Sequence, residues 1–212
     1  MSALRFSSLI ILFPILFGAC GRSELIRIRM LAPVNEDKKD HAIFTDTESS
    51  SSFTPTITNK QIGGSLYFLF KSIGLGYTTI TTKMEKVDEK LTEKTTLVTN
   101  FADVAFGIGE NYTFMWGAGV LTGGKWETSL EYDSKTFNPK HNYLGGHSLF
   151  FVLGHHGFGF ETLLGYRTNS IKAEFEEINS SDIGKTSEDF TYESNIISLK
   201  TSQVQLGIGF TF

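Results

Sequence analysis

The chain has little of three things that often decide a fold class. It holds a single cysteine, Cys20, among 212 residues, which excludes an intrachain disulfide. Only 4 prolines interrupt it, and Gly-rich alternating segments are common, as expected for one all-β domain. The longest apolar run, Phe6 to Phe17, has twelve residues, whereas a membrane-spanning helix needs roughly 20. Any residence in a membrane must therefore come from β-structure.

The charge of the chain excludes a further class of protein. The chain has 19 basic and 23 acidic side chains, which gives a formal charge of −4 at pH 7. The acidic excess is scattered along the sequence, and no basic patch stands out. This balance argues against a nucleic-acid-binding protein.

Residues 1–19 are typical of a cleaved signal peptide. Arg5 precedes the apolar run, and small residues close it at Gly18 and Ala19. The mature domain is then expected from about residue 23 to residue 212. Cys20 follows Phe17-Gly18-Ala19, which resembles a lipoprotein cleavage box except that Phe17 stands where leucine is usual. Acylation of Cys20 and ordinary cleavage after Gly21 both stay open, with ordinary cleavage preferred.

The last nine residues alternate strictly in character. Gln205, Gly207, Gly209 and Thr211 lie on one face of a strand, and the other face carries only apolar side chains: Val204, Leu206, Ile208, Phe210 and Phe212. Such a strand suits a wall between lipid and a narrow polar lumen. The terminal aromatic resembles the C-terminal signal of bacterial outer-membrane barrel proteins. That resemblance implies recognition by the barrel-assembly machinery and a location in the outer membrane.

The same alternation recurs along the chain and predicts eight strands. They are Leu25–Leu31, Ile62–Phe70, Ile73–Thr82, Thr95–Gly107, Tyr112–Thr122, Asn142–Leu153, Phe158–Thr168 and Ile196–Phe212. The predicted connections alternate in length. The long ones are Val34–Gln61, Lys83–Lys94, Gly123–His141 and Asn169–Asn195, and the short ones are Lys71–Ser72, Ile108–Asn111 and Gly154–Gly157. This parity is typical of a small barrel with long outer loops and tight periplasmic turns.

The predicted fold class is therefore an all-β, eight-stranded antiparallel transmembrane barrel, which resembles the OmpA-, OmpX- and OmpW-like group. A lipocalin-like soluble barrel is the rival, but it would place its apolar side chains inside. Here the bulky apolar residues are expected outside and small ones inside. Four aromatic residues near strand ends are expected in interfacial belts: Trp116, Trp126, Tyr132 and Tyr143.

A sparse set of charged residues is expected to face the lumen: Arg27, Arg29, Asp103, Glu161 and Arg167. A charge facing lipid near the midplane costs roughly 2–4 kcal/mol for arginine. The favoured interpretation is a network of ion pairs that fills the bore, and the alternative is a selectivity filter or proton path. An eight-stranded barrel is just wide enough for its side chains to fill, so an open diffusion pore is not expected.

The remaining polar residues give weak signals for chemistry. His155 and His156 are placed in a periplasmic turn, and no metal site or cofactor is predicted. His147 and Ser148 are neighbours on a strand and face opposite sides, which argues against a lipid hydrolase or acyltransferase. No catalytic residue is assigned.

The sequence thus predicts an outer-membrane barrel with a structural or surface-interaction role exercised through its extracellular loops. Its expected partners are outer-membrane lipids and lipopolysaccharide, the assembly machinery and an extracellular ligand. The alternative function is a narrow conduit or binding site for a small solute, including a hydrophobic one. A lipid-modifying enzyme is the third hypothesis.

Overall fold

The structure is a computed structural model, and it describes residues 26–34, 45–46, 56–87, 91–132, 135–138, 140–157, 160–175, 190–191 and 196–212. The predicted signal peptide and Cys20 lie outside the described residues. Within the described part of the chain, no helix is long and apolar enough to cross a membrane.

Eight long strands form one antiparallel sheet in which every strand pairs with its neighbours in the chain. Their bounds are β1 Ile26–Pro33, β2 Thr56–Phe70, β3 Ile73–Val87, β4 Leu91–Gly109, β5 Tyr112–Tyr132, β6 His141–Gly157, β7 Phe160–Phe175 and β8 Ile196–Thr211. Three short strands accompany them at Thr45–Asp46, Lys135–Phe137 and Phe190–Thr191.

The sheet closes on itself because β8 pairs antiparallel with β1, from Arg27 opposite Thr211 to Pro33 opposite Gln205. Two backbone hydrogen bonds lock the chain end at this seam: Ile26 N to Phe212 O at 3.2 Å and Phe212 N to Ile26 O at 2.9 Å. Closure satisfies the edges that an open sheet would leave unpaired. The predicted eight-stranded antiparallel barrel is confirmed.

The outer surface carries the alternation that the sequence predicted. Apolar side chains on β2, β3 and β8 point outward, with Phe68, Leu75 and Leu206 each more than half exposed. The terminal residues Ile208, Phe210 and Phe212 share this outward face, and Val204 is half-buried on it. The closed barrel therefore presents a broad apolar surface.

Several predicted boundaries were wrong, mostly at the end of the barrel that carries the long connections. β3 continues to Val87, β4 begins at Leu91, and β5 runs to Tyr132 through residues that were predicted as loops. In these extensions the polarity changes: Met84 and Trp126 are buried inside together with the charged Lys86 and Glu93, and other charged residues such as Glu85 and Lys94 face outward. The prediction required bulky apolar residues on the outer face, so it ended β3 and β5 near the point where the pattern changes.

Three finer expectations also need correction. His155 and His156 lie within β6, which ends at Gly157, and not in a turn. Trp126 is buried in the lumen and does not belong to an outer aromatic belt. The interior is also not lined by small groups alone, because bulky rings fill it: Tyr67, Phe101, Trp126, Phe150 and Phe175. Their neighbours are often glycine, as at Gly117, where an added Cβ would overlap the Phe150 ring.

The closure seam makes a first prediction. A Cβ at Gly207 would overlap the Met30 carbonyl oxygen and the Leu31 side chain on β1, so Gly207→Ala should push the two strands apart. We expect it to lower the free energy of unfolding by about 1–3 kcal/mol, read from urea titration of the barrel in detergent micelles. Gly157→Ala is the control, since no described atom lies within 4 Å of its added Cβ. Equal midpoints for the two variants would contradict a tightly packed seam.

Candidate functional site

The lumen is a stack of alternating polar and apolar layers. At the end with the short turns lies a charged pair from β1 and β7, and above it a cluster of buried apolar side chains that includes Leu69, Met115 and Val152. A second charged layer crosses the middle of the barrel. A second apolar cluster, including Leu97, Trp126 and Phe175, lies towards the long connections. Described side chains thus occupy the bore at each level.

The central layer is built on Arg167 of β7 and Asp103 of β4, which meet across the lumen. Arg167 donates from Nη1 to Asp103 Oδ2 and from Nη2 to Asp103 Oδ1, both at 2.9 Å. Both side chains are fully shielded from solvent. Two parallel hydrogen bonds between fully charged groups form the strongest type of arginine–carboxylate contact.

Four further side chains complete the coordination of Arg167. Its Nε donates to Asn169 Oδ1 at 3.1 Å, Nη1 to Thr78 Oγ1 at 3.0 Å and Tyr67 Oη at 3.2 Å, and Nη2 to Ser148 Oγ at 2.5 Å. All three guanidinium nitrogens are therefore used. The partners come from β2, β3, β4, β6 and β7, so one cation ties five strands together.

Aromatic rings and a glycine shape the space around this cation. The guanidinium carbon lies 4.8 Å from the Phe101 ring centre and 5.3 Å from that of Phe150, within the range of cation–π attraction. On β5, an added Cβ at Gly119 would overlap the Asp103 carboxylate and the Ser148 hydroxyl. Glycine at that position is what leaves room for the ion pair.

The lower charged layer joins Arg29 of β1 to Glu161 of β7. Arg29 donates from Nε to Glu161 Oε2 at 2.7 Å and from Nη2 to Glu161 Oε1 at 2.8 Å. The same Nη2 reaches Thr113 Oγ1 on β5 at 2.8 Å, and Arg27 donates to the Gly109 carbonyl oxygen at 2.9 Å. These contacts cross the barrel below the first apolar cluster.

The five charged residues singled out in the sequence thus all lie inside the barrel and form two separate pairs, with Arg27 beside the lower one. Sequence reasoning missed their neutral partners Tyr67, Thr78 and Asn169. The alternation along each strand shows that these side chains point into the barrel. Their contact with Arg167 depends on the registers in which the strands pair around the barrel, which the sequence does not show. His147 is exposed on the outer face, whereas Ser148 is buried against Arg167.

The wall has an irregular region between β5 and β6. Their ladder runs from Tyr112–His155 to the pair Val120–His147 and ends there. Above that pair β5 remains paired with β4, and β6 with β7. A bulge at Thr122 marks the change, because Phe101 pairs with Leu121 while Asn100 pairs with Gly123.

A cavity of about 670 Å³ lies beside this opening. Its lining includes five consecutive β5 residues from Lys125 to Ser129. Consecutive residues alternate between the two faces of a strand, so the cavity must lie against the free edge of β5. Trp126 and Thr128 give it an inner wall, and its rim carries Lys94, Lys125 and Lys140 together with Glu127, which pairs with Lys125.

Comparison with known proteins adds a fold likeness. The chain is similar to the outer membrane protein OprG from Pseudomonas aeruginosa over 91% of its own length and 98% of that chain, with 12% identity and a TM-score of 0.40. No protein-family model matches it, and no curated protein matches it in sequence. At this identity and TM-score the likeness assigns no role to any residue of this chain.

The central ion pair makes a second prediction. Asp103→Asn leaves Arg167 buried without its counter-charge, and removing one partner of a buried pair costs roughly 3–5 kcal/mol. We expect a matching loss in the free energy of unfolding, measured by urea titration in detergent micelles. Glu127→Gln is the control, because it breaks an ion pair with Lys125 in which both side chains are more than half exposed; such pairs contribute about 0.2–1 kcal/mol. A loss no larger than the control's would show that the central pair is not a structural support.

Proposed function

We propose that this chain is an integral outer-membrane barrel with a non-enzymatic structural or surface-interaction role, exercised at the end that carries the long connections. The observation that carries the proposal is the combination of an outward apolar surface with a lumen filled by buried ion pairs. Apart from the β5–β6 region above Val120, each long strand pairs with both of its neighbours, and paired backbone is what a spanning structure requires. The filled bore leaves the two ends as the places for interaction.

The charged layers support a structural role for the lumen. Arg167 and Arg29 each bind a carboxylate with two hydrogen bonds, and neutral side chains engage both. An ion path would need charged groups that exchange partners with passing solutes. Groups held on several sides at once suit a fixed plug better.

The arrangement of His147 and Ser148 supports the non-enzymatic part of the proposal. An activated serine needs a base within hydrogen-bond reach. Ser148 instead accepts a hydrogen bond from Arg167 inside the barrel, while His147 is exposed on the outside.

The orientation of the barrel gives a third prediction. In a Cys20→Ser background, Lys140→Cys stands at the end with the long connections, and Lys71→Cys stands at the end with the short turns. We expect a maleimide attached to a large polyethylene glycol to label Lys140→Cys on intact cells, and Lys71→Cys only after the outer membrane is opened. Both should label in detergent and fractionate with the outer membrane. Labelling of both sites on intact cells, or recovery in the soluble fraction, would overturn the proposal.

A second candidate function rests on the cavity at the free edge of β5. Its indole wall and a rim on which three lysines outnumber the one carboxylate, Glu127, suit a small amphiphilic anion, with the apolar part against Trp126. The open ladder above Val120 gives such a solute a side entrance. This would be a binding site near the end of the barrel, and it needs no passage through the filled lumen.

The cavity makes a fourth prediction, with octanoate as the probe. The chain has 2 tryptophans, and Trp116 is on the outer face between Phe106 and Phe114. In a Trp116→Phe background we expect octanoate to change the Trp126 emission in a saturable way. In the Trp126→Phe control, the emission of Trp116 should change only in proportion to the octanoate added. The same response from both variants would mean that the probe enters the micelle and not the cavity.

A further inference from the structure

Five lysines form a girdle around the outside of the barrel: Lys60, Lys83, Lys125, Lys172 and Lys200. They belong to β2, β3, β5, β7 and β8, and all five are exposed on the outer face. The ion pairs of the lumen do not account for these outward-facing lysines. Their arrangement around the wall is regular enough to suggest a ligand.

The girdle is close to level. Lys60 pairs directly with Lys83. Lys83 pairs with Thr96, which pairs with Glu127, and Lys125 lies two residues from Glu127 towards the short turns. In the same way Lys172 pairs with Ser198, and Lys200 lies two residues from Ser198 towards the short turns. Lines of paired residues climb around a barrel because its strands are tilted. The downward offsets from strand to strand compensate for that climb and keep the five amino groups at similar height.

The height of the girdle matches the thickness of a membrane. Lys60, Lys83 and Lys200 lie ten residues from Phe70, Ile73 and Phe210, which mark the short-turn end of their strands. Ten residues span roughly 33 Å along a strand, or about 25 Å along the barrel axis at a tilt of about 40°. The apolar band of outer-membrane barrels is about 25 Å tall. The girdle therefore lies where such a band would end.

The surface changes character at this level. Between the girdle and the short turns, the described strands carry no outward-facing Lys, Arg, Asp or Glu. Beyond the girdle the outer face carries charges of both signs, such as Glu85 and Lys94, which pair at 3.4 Å. Among the described residues, no ion pair reaches Lys60, Lys83, Lys172 or Lys200, so most of the girdle lacks a protein counter-charge.

We propose that the girdle binds the phosphate groups of an anionic glycolipid in the leaflet that faces the long connections. This inference rests on the proposed orientation in the outer membrane. Lysine stems can lie along the apolar wall while their ammonium groups reach the headgroup level, and each ammonium near an anionic surface attracts it by an appreciable amount. Lysine is a flexible point charge, so it suits phosphates that vary in position around the barrel.

The test uses the full barrel, folded in detergent micelles, and diphosphoryl lipid A as the probe. Bound lipid is counted by native mass spectrometry, with enzymatically dephosphorylated lipid A in a parallel titration. The girdle variant carries Lys60→Gln, Lys83→Gln and Lys200→Gln. The matched control carries Lys71→Asn, Lys135→Gln and Lys185→Gln, which remove the same charge at residues that belong neither to the girdle nor to the cavity rim.

We expect the girdle variant to lose about fivefold in affinity per lysine, or on the order of a hundredfold in total, for the diphosphoryl form only. The control should stay within about twofold of the unsubstituted chain. Equal losses in both variants, or equal binding of the dephosphorylated lipid, would overturn the inference.

Insertion into phosphocholine vesicles, followed by the heat-dependent band shift on cold SDS gels, separates this inference from the proposed function. A barrel that inserts but does not discriminate phosphate overturns the girdle alone. A chain that never inserts overturns both, because the lysines would then have no membrane to face.

Discussion

The Arg167–Asp103 pair is the interaction on which the interior depends. The side chains of a narrow barrel must fill its bore. If the inner face were as apolar as the outer face, the sequence would not specify which face of each strand points inward. A buried ion pair marks the inside unambiguously, since the register that turned Arg167 towards lipid would be costly. Because its hydrogen-bond partners come from five strands, the pair specifies how these strands align around the barrel.

Much of the fold was predictable because lipid imposes a simple rule on a strand that spans it. Outward residues must be apolar and inward residues need not be, so strict alternation is visible in the sequence, as in the nine residues that end at Phe212. Short turns such as Lys71–Ser72 then follow from parity. The strand ends were misplaced where this alternation no longer holds, towards the end of the barrel that carries the long connections. Beyond the lysine girdle the outer face carries charged side chains, while apolar residues such as Trp126 are buried inside together with Lys86 and Glu93.

The site was predictable only in part, for a related reason. Parity gives the direction of a side chain, so Arg29, Asp103 and Arg167 were assignable to the lumen one by one. To predict which of these side chains contact each other, one needs the pairing registers of all intervening strands and of the seam between β1 and β8. The bulge at Thr122 shifts one of those registers by a residue, and a local break of this kind has no distinct signal in a Thr-Gly-Gly sequence. The aromatic rings that flank Arg167 were missed because small side chains were expected to line the interior.

The inversion of polarity also explains why interaction should concentrate at one end of the barrel. Across the apolar band the outer face of the described strands carries no Lys, Arg, Asp or Glu, and the inner face holds ion pairs and aromatic rings. Beyond the girdle β4 and β5 continue with polar side chains outside, and the pairing of β5 with β6 has already ended at Val120, five residues below Lys125. A free strand edge, a cavity and exposed lysines therefore occur together towards this end of the barrel. A chain that evolves to bind something at the cell surface can change this region without disturbing the layers that keep the barrel closed.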